Sequence, residues 1–195
     1  MIWQIKTRGR KLLQFFKNRV INPTGVSSFG NGETTKCRHR LAVFCKGYGL
    51  DLGFGGDPIT STAIRIDLPA PYTKVGDYLV QLGGTAQNLY WFKNEVLDYV
   101  FSSHLLEDFE NTEGVLREWL RVIKRGGKLI IFCPDEQRFK DHCIMSGQSY
   151  NEAHVHEHFS LKFVTDILEL IGQTKVIYNK DEVDIYSWDL VCEKL

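Results

Sequence analysis

Short apolar runs bounded by turn residues recur along the chain, and stretches of helical periodicity lie between them. The run from Val96 to Phe101 is apolar at most positions, which is typical of a strand buried on both faces of a parallel sheet. The predicted strands of this kind are Gly49–Leu52, Ala63–Ile66, Asp77–Gln81, Val96–Phe101 and Lys128–Cys133. Strands that alternate with helices predict an α/β fold.

Capping residues mark the predicted helices as clearly as the apolar spacing does. Asn111 is expected to cap a helix with Trp119 in its buried stripe, and Gly126 is expected to end it. Ser160 and Gly172 bracket a second helix in the same way. The other predicted elements are the helices Glu33–Cys45 and Glu136–Met145 and an antiparallel pair of strands, Val176–Tyr178 and Val183–Val191.

Residues 2–20 are predicted to form a basic amphipathic helix with its apolar side chains near one face. Residues 1–20 carry six basic residues and no acid, although the whole chain has a net charge of zero. We expect this helix to pack on its own domain or to act as a lid over the substrate. Attachment to an anionic membrane surface, helped by Trp3 and Phe15, is the less favoured alternative. The predicted division is therefore residues 1–33, a helix and loop, and residues 34–195, the main domain.

Composition limits the location and the partners. A chain of 195 residues is expected to form one main domain with an ordinary core, and zero net charge gives no indication of a nucleic-acid partner. The five cysteines are odd in number, scattered and without a C-x-x-C pair, which predicts reduced packing thiols and a cytoplasmic location. No apolar run is long enough to span a membrane, and the N-terminus lacks the apolar core of a secretory signal.

A glycine-rich turn and an acid carry the candidate chemistry. Gly53 and Gly55 follow the first predicted strand, and Asp67 follows the second. Glycines let a ligand press against the backbone, and an acid at a strand tip can accept hydrogen bonds from both ribose hydroxyls. A dinucleotide site is disfavoured, because Pro58 takes the third glycine position of G-x-G-x-x-G and Asp57 would bring a negative charge to the phosphates. A ligand with a ribose, no phosphate and a positive centre is favoured, and S-adenosylmethionine has that chemistry.

These motifs resemble those of class I S-adenosylmethionine-dependent methyltransferases, most closely the type 11 group, which includes predicted members associated with polysaccharide biosynthesis. Residues 50–56 are similar to motif I, Ile66–Asp67 to the acid after it, and residues 97–107 to motif IV. Residues 116–129 are similar to the helix and glycine turn before strand five. The resemblance implies a Rossmann-like, doubly wound three-layer α/β sandwich. Its seven-stranded sheet would be mostly parallel, with a C-terminal antiparallel strand.

The resemblance also implies where S-adenosylmethionine binds and S-adenosylhomocysteine is released. The glycine turn would seat the methionyl portion, and Asp67 would hold the ribose. Gln81 and Leu82 stand where the family usually has an aspartate that contacts the adenine. The full set of expected cofactor residues is Asp51, Gly53, Phe54, Gly55, Asp67, Leu68, Gln81, Leu82, Ser102 and Ser103.

His104 is the candidate catalytic residue, because it follows strand four at the edge of the sheet where the transferred methyl should lie. It would accept a proton from a hydroxyl substrate. The alternative is that His104 only packs against the cofactor, since positioning alone can supply much of the rate of methyl transfer. The sequence His104-x-x-Glu107-Asp108 is close to the metal motif H-x-x-E-H, but Asp108 replaces the second histidine.

His154, His156 and His158 alternate along the chain, a spacing that would place three imidazoles on one side of an extended segment. A shared metal ion is one interpretation of this pattern. Contact with the substrate or a solvated loop is the preferred one, because short histidine motifs often arise by chance. The sequence alone therefore assigns no metal site.

Together these features predict an enzyme that methylates a small molecule, or a sugar or glycan intermediate. The competing hypothesis is a non-catalytic cofactor-binding or interaction protein on the same fold. The lack of the adenine-contacting acid and the short segment after the glycine turn favour that alternative. Nothing in the sequence indicates the oligomeric state.

Overall fold

A seven-stranded sheet forms the centre of the computed structural model, which describes residues 32–71 and 78–195. The strands are β1 (Gly49–Leu52), β2 (Ile64–Asp67), β3 (Leu82–Gly83), β4 (Leu97–Ser103), β5 (Ile123–Pro134), β6 (Thr174–Val183) and β7 (Ser187–Lys194). Their order is β3-β2-β1-β4-β5-β7-β6, and β7 alone runs antiparallel to its neighbours. The predicted N-terminal helix lies outside the described residues.

Four helices surround the sheet within the described ranges: α1 (Glu33–Leu41), α2 (Thr112–Val122), α3 (Glu136–Ser146) and α4 (Leu161–Ile171). The predicted caps are confirmed at two of them. The Asn111 side chain accepts a hydrogen bond from the Gly114 amide, and the Ser160 side chain accepts one from the Phe163 amide. No helix in the part of the chain that the structure describes is long and apolar enough to cross a membrane.

The two faces of the sheet bury two separate apolar clusters, as the three-layer prediction requires. Neighbouring residues of β4 point to opposite sides, so that Val100 joins one cluster and Tyr99 and Phe101 join the other. Helices α2 and α4 cover the first face with Trp119, Leu168 and their neighbours, and α1 covers the second. All five cysteines are buried free thiols, which agrees with the predicted packing role.

The third predicted strand is wrong. The described residues 78–81 form no strand, and β3 is the pair Leu82–Gly83, directly after the predicted strand Asp77–Gln81. The apolar residues that suggested a buried strand are not covered, since Leu79 is 73% exposed. Gln81 instead joins β2 through its side chain, whose Oε1 accepts a hydrogen bond from the Arg65 amide at 3.0 Å.

Two other predicted boundaries are corrected. Helix α2 ends at Val122, and the chain turns directly into β5, so Gly126 lies inside the strand region and not at the helix end. Strand β6 is longer than the predicted Val176–Tyr178, and Val183 ends it, although Val183 was expected to begin the last strand. The hairpin turn between β6 and β7 contains Asp184 and Ile185, both of which have positive φ.

Candidate active site

The turn after β1 is built from glycines in left-handed conformations. Gly53 has φ of 64° and Gly55 has φ of 57°. The Gly53 amide donates a hydrogen bond of 2.8 Å to the Ile66 carbonyl, which joins the turn to β2. A Cβ added to Gly53 would lie 2.8 Å from Cδ2 of Leu105. Glycine is therefore needed at this position for both conformation and space.

Asp51 supports this turn from inside β1. It is fully buried, and its Oδ2 accepts a hydrogen bond of 2.6 Å from the Ile59 amide. Its Oδ1 has no hydrogen-bond partner among the described residues. Burial raises the pKa of this carboxyl to about 8. The geometry gives Asp51 a role in fixing the loop between the two strands, and its side chain does not line the cavity described below.

Helix α1 is fastened to the same loop by a buried ion pair. The Arg38 guanidinium contacts the Asp57 carboxylate, and both side chains are 5% exposed. Arg38 also donates to the Pro58 carbonyl, and the Thr35 hydroxyl donates to Asp57 Oδ2 at 2.6 Å. The charge of Asp57, which was used above as an argument against a ligand with phosphates, is thus balanced within the protein by Arg38. No sequence pattern pointed to Arg38, because the pair joins a helix to a loop.

Asp67 ends β2 and faces the glycine turn. Its Oδ2 accepts a hydrogen bond of 3.0 Å from the Gly55 amide, and its Oδ1 accepts one of 2.8 Å from the Leu68 amide. Each carboxylate oxygen has a second lone pair, so Asp67 keeps acceptor capacity for two ligand hydroxyls. This is the geometry expected of an acid that holds a ribose.

One cavity of about 270 Å³ opens at the carboxyl ends of β1, β2 and β4. It brings together six of the predicted site residues: Gly53, Phe54, Gly55, Asp67, Ser103 and His104. The hydroxyl of Ser103 is buried and has no hydrogen-bond partner among the described residues, so it is available to a ligand. The wall opposite the glycine turn includes Phe139, Asn151 and Tyr186.

The other predicted cofactor residues do not line this cavity. Ser102 is fully buried, with its hydroxyl directed at the Leu52 carbonyl. Leu68 and Leu82 are exposed side chains beyond Asp67, and the Gln81 carboxamide is occupied by Arg65. The cavity therefore includes the residues predicted to contact the methionyl portion, the ribose and the acceptor. The predicted adenine contacts lie on the surface beside it.

His104 lies in the cavity wall directly after β4. Its backbone has φ of 49°, and its ring packs against Phe132 at 5.0 Å between centroids. Nε2 lies 3.2 Å from Oγ of Ser187 and 3.4 Å from Oε2 of Glu33. Burial lowers the pKa of the imidazole to about 4, so the ring is neutral at neutral pH. A neutral imidazole has one nitrogen that can accept a proton.

Next to His104 is a group of side chains that we call the acid–imidazole cluster: Glu107, Glu136 and His154, whose side chains are buried, and the more exposed Tyr150. Oε1 of Glu107 lies 3.8 Å from Nδ1 of His104 and 3.8 Å from Nε2 of His154. Nδ1 of His154 lies 2.9 Å from Oε2 of Glu136, whose Oε1 accepts a hydrogen bond from Tyr150. Burial raises the pKa of Glu107 to about 8.

Glu136 and Tyr150 of this cluster are not among the candidate site residues that the sequence indicated. Glu136 and its neighbour Asp135 follow β5 at the same edge of the sheet, so the rule that selected His104 could also have selected them. The three alternating histidines do not meet. Nε2 of His156 is turned to the Phe109 carbonyl at 2.9 Å, and His158 is exposed. Only His154 of the three lines the cavity.

The fold and the site together define the class of protein. The strand order reverses between β1 and β4, because β2 and β3 lie on one side of β1 and the later strands lie on the other. A glycine turn and a strand-end acid meet at this switch point, as in Rossmann-like nucleotide-binding domains. The model of the type 11 methyltransferase family, described as a methyltransferase domain, matches residues 29–131, more than half of the chain. The chain belongs to this family. It is an S-adenosylmethionine-dependent methyltransferase, and S-adenosylmethionine is its cofactor.

Several solved structures, methyltransferases among them, have the same fold. A methyltransferase from Thermotoga maritima is 17% identical, with 97% of each chain covered and a TM-score of 0.58. One from Aquifex aeolicus is 15% identical over 76% of this chain and 82% of that one, with a TM-score of 0.52. A protein from Pyrococcus horikoshii is 17% identical over 77% of this chain and 82% of that one, with a TM-score of 0.58. No curated protein is significantly similar in sequence.

Proposed function

We propose that the protein transfers the methyl group of S-adenosylmethionine to a hydroxyl oxygen of a small molecule, or of a sugar or glycan intermediate. The observation that carries this proposal is the shared cavity, which Asp67, Ser103 and His104 all line. In the reaction the acceptor oxygen bonds to the methyl carbon as the carbon–sulfur bond breaks. S-adenosylhomocysteine leaves, and the hydroxyl proton passes to a base.

The cofactor end of the cavity is the glycine turn with Asp67. The bare backbone of Gly53 and Gly55 admits the methionyl portion, and Asp67 accepts hydrogen bonds from the ribose hydroxyls. Gln81 and Leu82 lie on the surface beyond Asp67 and would contact the adenine there. This arrangement is part of the proposal and gives its first test, the affinity for S-adenosylhomocysteine.

The methyl end of the cavity is formed by Ser103 and His104. The Ser103 hydroxyl is buried and can donate a hydrogen bond to cofactor or acceptor. His104 is held neutral by burial and can take the proton that the acceptor hydroxyl loses. Its ring is fixed by Phe132 and by the contact with Ser187, so the accepting nitrogen is pre-oriented.

The acceptor side combines aromatic and polar groups. The Phe139 and Tyr186 rings lie edge to face at 5.2 Å, and Asn151 and Glu33 complete the wall with hydrogen-bonding groups. A sugar presents apolar C–H groups that can pack on aromatic rings and hydroxyls that can bond to amides and carboxylates. This wall therefore favours a sugar or another polyhydroxylated acceptor over a purely apolar one.

The competing function is cofactor binding without turnover. The observation that favours it is the engagement of the Gln81 carboxamide by the Arg65 amide, which leaves the predicted adenine contact weak. The two hypotheses differ in product formation. The non-catalytic protein would bind S-adenosylmethionine and S-adenosylhomocysteine but would release no S-adenosylhomocysteine with any acceptor.

The test is methyl transfer from isotopically labelled S-adenosylmethionine to nucleotide sugars, monosaccharides, phenols and amines, with mass spectrometry of the product. We expect a hydroxyl acceptor to be methylated, and His104→Ala to lower kcat by about 100-fold or more. His158→Ala, at an exposed position on the loop, is the control and should leave kcat unchanged. Tight cofactor binding with no product from any acceptor would decide for the non-catalytic hypothesis.

A further inference from the structure

One close pair in the acid–imidazole cluster is not joined by a hydrogen bond, whereas His154–Glu136 and Tyr150–Glu136 are. Oε1 of Glu107 is 3.8 Å from Nε2 of His154, which is too long for a hydrogen bond. Two ligands with bonds of about 2.1 Å to the same metal ion lie about 3 to 4.2 Å apart. The separation of Glu107 and His154 therefore matches two ligands of one cation.

A third ligand stands beside these two. One carboxylate oxygen of Asp108 lies with an oxygen of Glu107 and a ring nitrogen of His154 in a group whose atoms are all within 4.8 Å of one another. Two carboxylates and an imidazole are a common donor set for divalent metals. Glu107 and Asp108 follow β4, whereas His154 comes from the loop before α4, so the tertiary fold brings these ligands together.

The orientation of His154 gives independent support. Its Nδ1 lies 2.9 Å from Oε2 of Glu136. The other oxygen of Glu136, Oε1, accepts a hydrogen bond from the Tyr150 hydroxyl and lies 3.4 Å from the Lys140 ammonium. Glu136 thereby accepts a hydrogen bond from Nδ1–H, so the lone pair of the neutral ring is on Nε2, the nitrogen that faces Glu107. A carboxylate behind the non-coordinating nitrogen is the usual support of a metal-binding histidine.

We propose that Glu107, Asp108 and His154 bind one divalent transition-metal cation, with Glu136 as the positioning residue of His154. The imidazole favours manganese, iron, cobalt or zinc over magnesium or calcium. Of the three ligands His154 lines the cavity, so a cation bound here would lie next to its acceptor side. The pattern of three alternating histidines did not reveal this site, because His156 and His158 point away from it.

The role of the cation rests on the proposed function. An acceptor hydroxyl that binds the cation has a lowered pKa, and the proton that it releases passes to His104. The resulting oxygen attacks the methyl carbon while the carbon–sulfur bond breaks. The substrate class that suits this site is one that offers an oxygen ligand next to the methylated position, such as a sugar with neighbouring hydroxyls.

The first experiment measures cation binding alone, with the full chain, chelator-treated, and without cofactor or acceptor. Equilibrium dialysis with cobalt should give one ion per chain and the visible absorption of protein-bound cobalt, while magnesium should bind far more weakly. Glu107→Gln and His154→Ala should each weaken cobalt binding by about tenfold or more, and Glu136→Gln should have an effect of similar size. His158→Ala is the matched control and should bind cobalt like the wild type.

The binding of S-adenosylhomocysteine to each variant shows that it is folded. Wild-type protein that takes up no stoichiometric cobalt, or His154→Ala and Glu107→Gln variants that bind it as tightly as the wild type, would refute the metal site. A second experiment adds chelator to the methyl-transfer reaction. Transfer that continues unchanged overturns the catalytic role of the cation and leaves the proposed function standing, whereas cobalt binding without any transfer contradicts the proposed function alone.

Discussion

Arg38 on helix α1 forms a buried ion pair with Asp57 in the loop after the glycine turn. The same guanidinium donates to the Pro58 carbonyl at 3.1 Å from Nη2 and 3.2 Å from Nε. The first turn of α1 carries Glu33, which lies in the cavity wall. Arg38 therefore links the position of that wall to the loop after the glycine turn, where we propose that the cofactor binds.

Arg38→Ala should lower the free energy of unfolding by about 3–5 kcal/mol, because it leaves the Asp57 carboxylate buried without its partner. Urea unfolding monitored by circular dichroism is the measurement. Arg117→Ala removes an exposed pair with Glu113 and should cost only about 0–1 kcal/mol. Equal small losses in both variants would show that the buried pair does not hold α1 to the loop.

Asp67→Ala should remove most of the affinity for S-adenosylhomocysteine. Two charge-assisted hydrogen bonds to the ribose would be lost, at about 1.5–3 kcal/mol each. Calorimetric titration measures the change, and thermal unfolding confirms that the variant is folded. Asp98→Ala is the matched control. Asp98 lies near the start of β4, at the opposite end of the strands from the cavity, and pairs with Lys124 at 2.8 Å. If the Asp67→Ala variant binds S-adenosylhomocysteine as tightly as the wild type, Asp67 does not bind the ribose.

Gly53→Ala should destabilise the protein more than Gly147→Ala. Both glycines have left-handed backbones, which cost an alanine about 1–2 kcal/mol. The new Cβ at position 53 would also meet Leu105, with a further cost of about 1–3 kcal/mol, whereas nothing lies within 4 Å of a Cβ at position 147. Chemical unfolding of the two variants gives the difference, and equal losses would mean that Leu105 moves aside freely.

Asp51→Asn should change the pH dependence of stability. The pKa of Asp51 is about 8 in the folded protein against an ordinary value of 3.8, so the folded state keeps a proton that the unfolded chain releases within this range. The contribution of Asp51 to the free energy of unfolding is fully present below pH 3.8. It is lost as pH rises toward 8, by up to about 1.4 kcal/mol per pH unit. The asparagine variant still accepts from the Ile59 amide but does not ionise. Unfolding free energies measured across the range should therefore decline less steeply in the variant, and parallel curves would contradict the assignment.

The parts of the fold that were predicted correctly are those whose local pattern and burial agree. Strand β1 and helix α4 were predicted with the bounds that the structure shows, because buried strands are apolar and because Ser160 and Gly172 have strong capping preferences. Strand β3 was missed because it has only two residues, both exposed, and pairing with β2 defines it. A strand of this kind has no apolar pattern to detect.

Site residues could be predicted from the sequence where they lie at the carboxyl end of a predicted strand. Asp67 and His104 follow strands whose ends meet at one edge, and both line the cavity. The contact of His154 with Glu136 could not be predicted, because it depends on how the loop before α4 folds over α3. The same holds for Asp51, since the residue pattern does not show that its side chain turns toward Ile59.

Strand β7 pairs with β5 on one side and with β6 on the other, so β6 is attached to the sheet through a strand that the ribosome makes after it. The order of synthesis and the order of pairing are therefore opposed. Until β7 emerges, β5 presents an open edge with Ile130 and Phe132 on one face, and such edges promote association between nascent chains. The interval between the synthesis of β5 and that of β7 is therefore when the growing chain is most exposed to association with other chains.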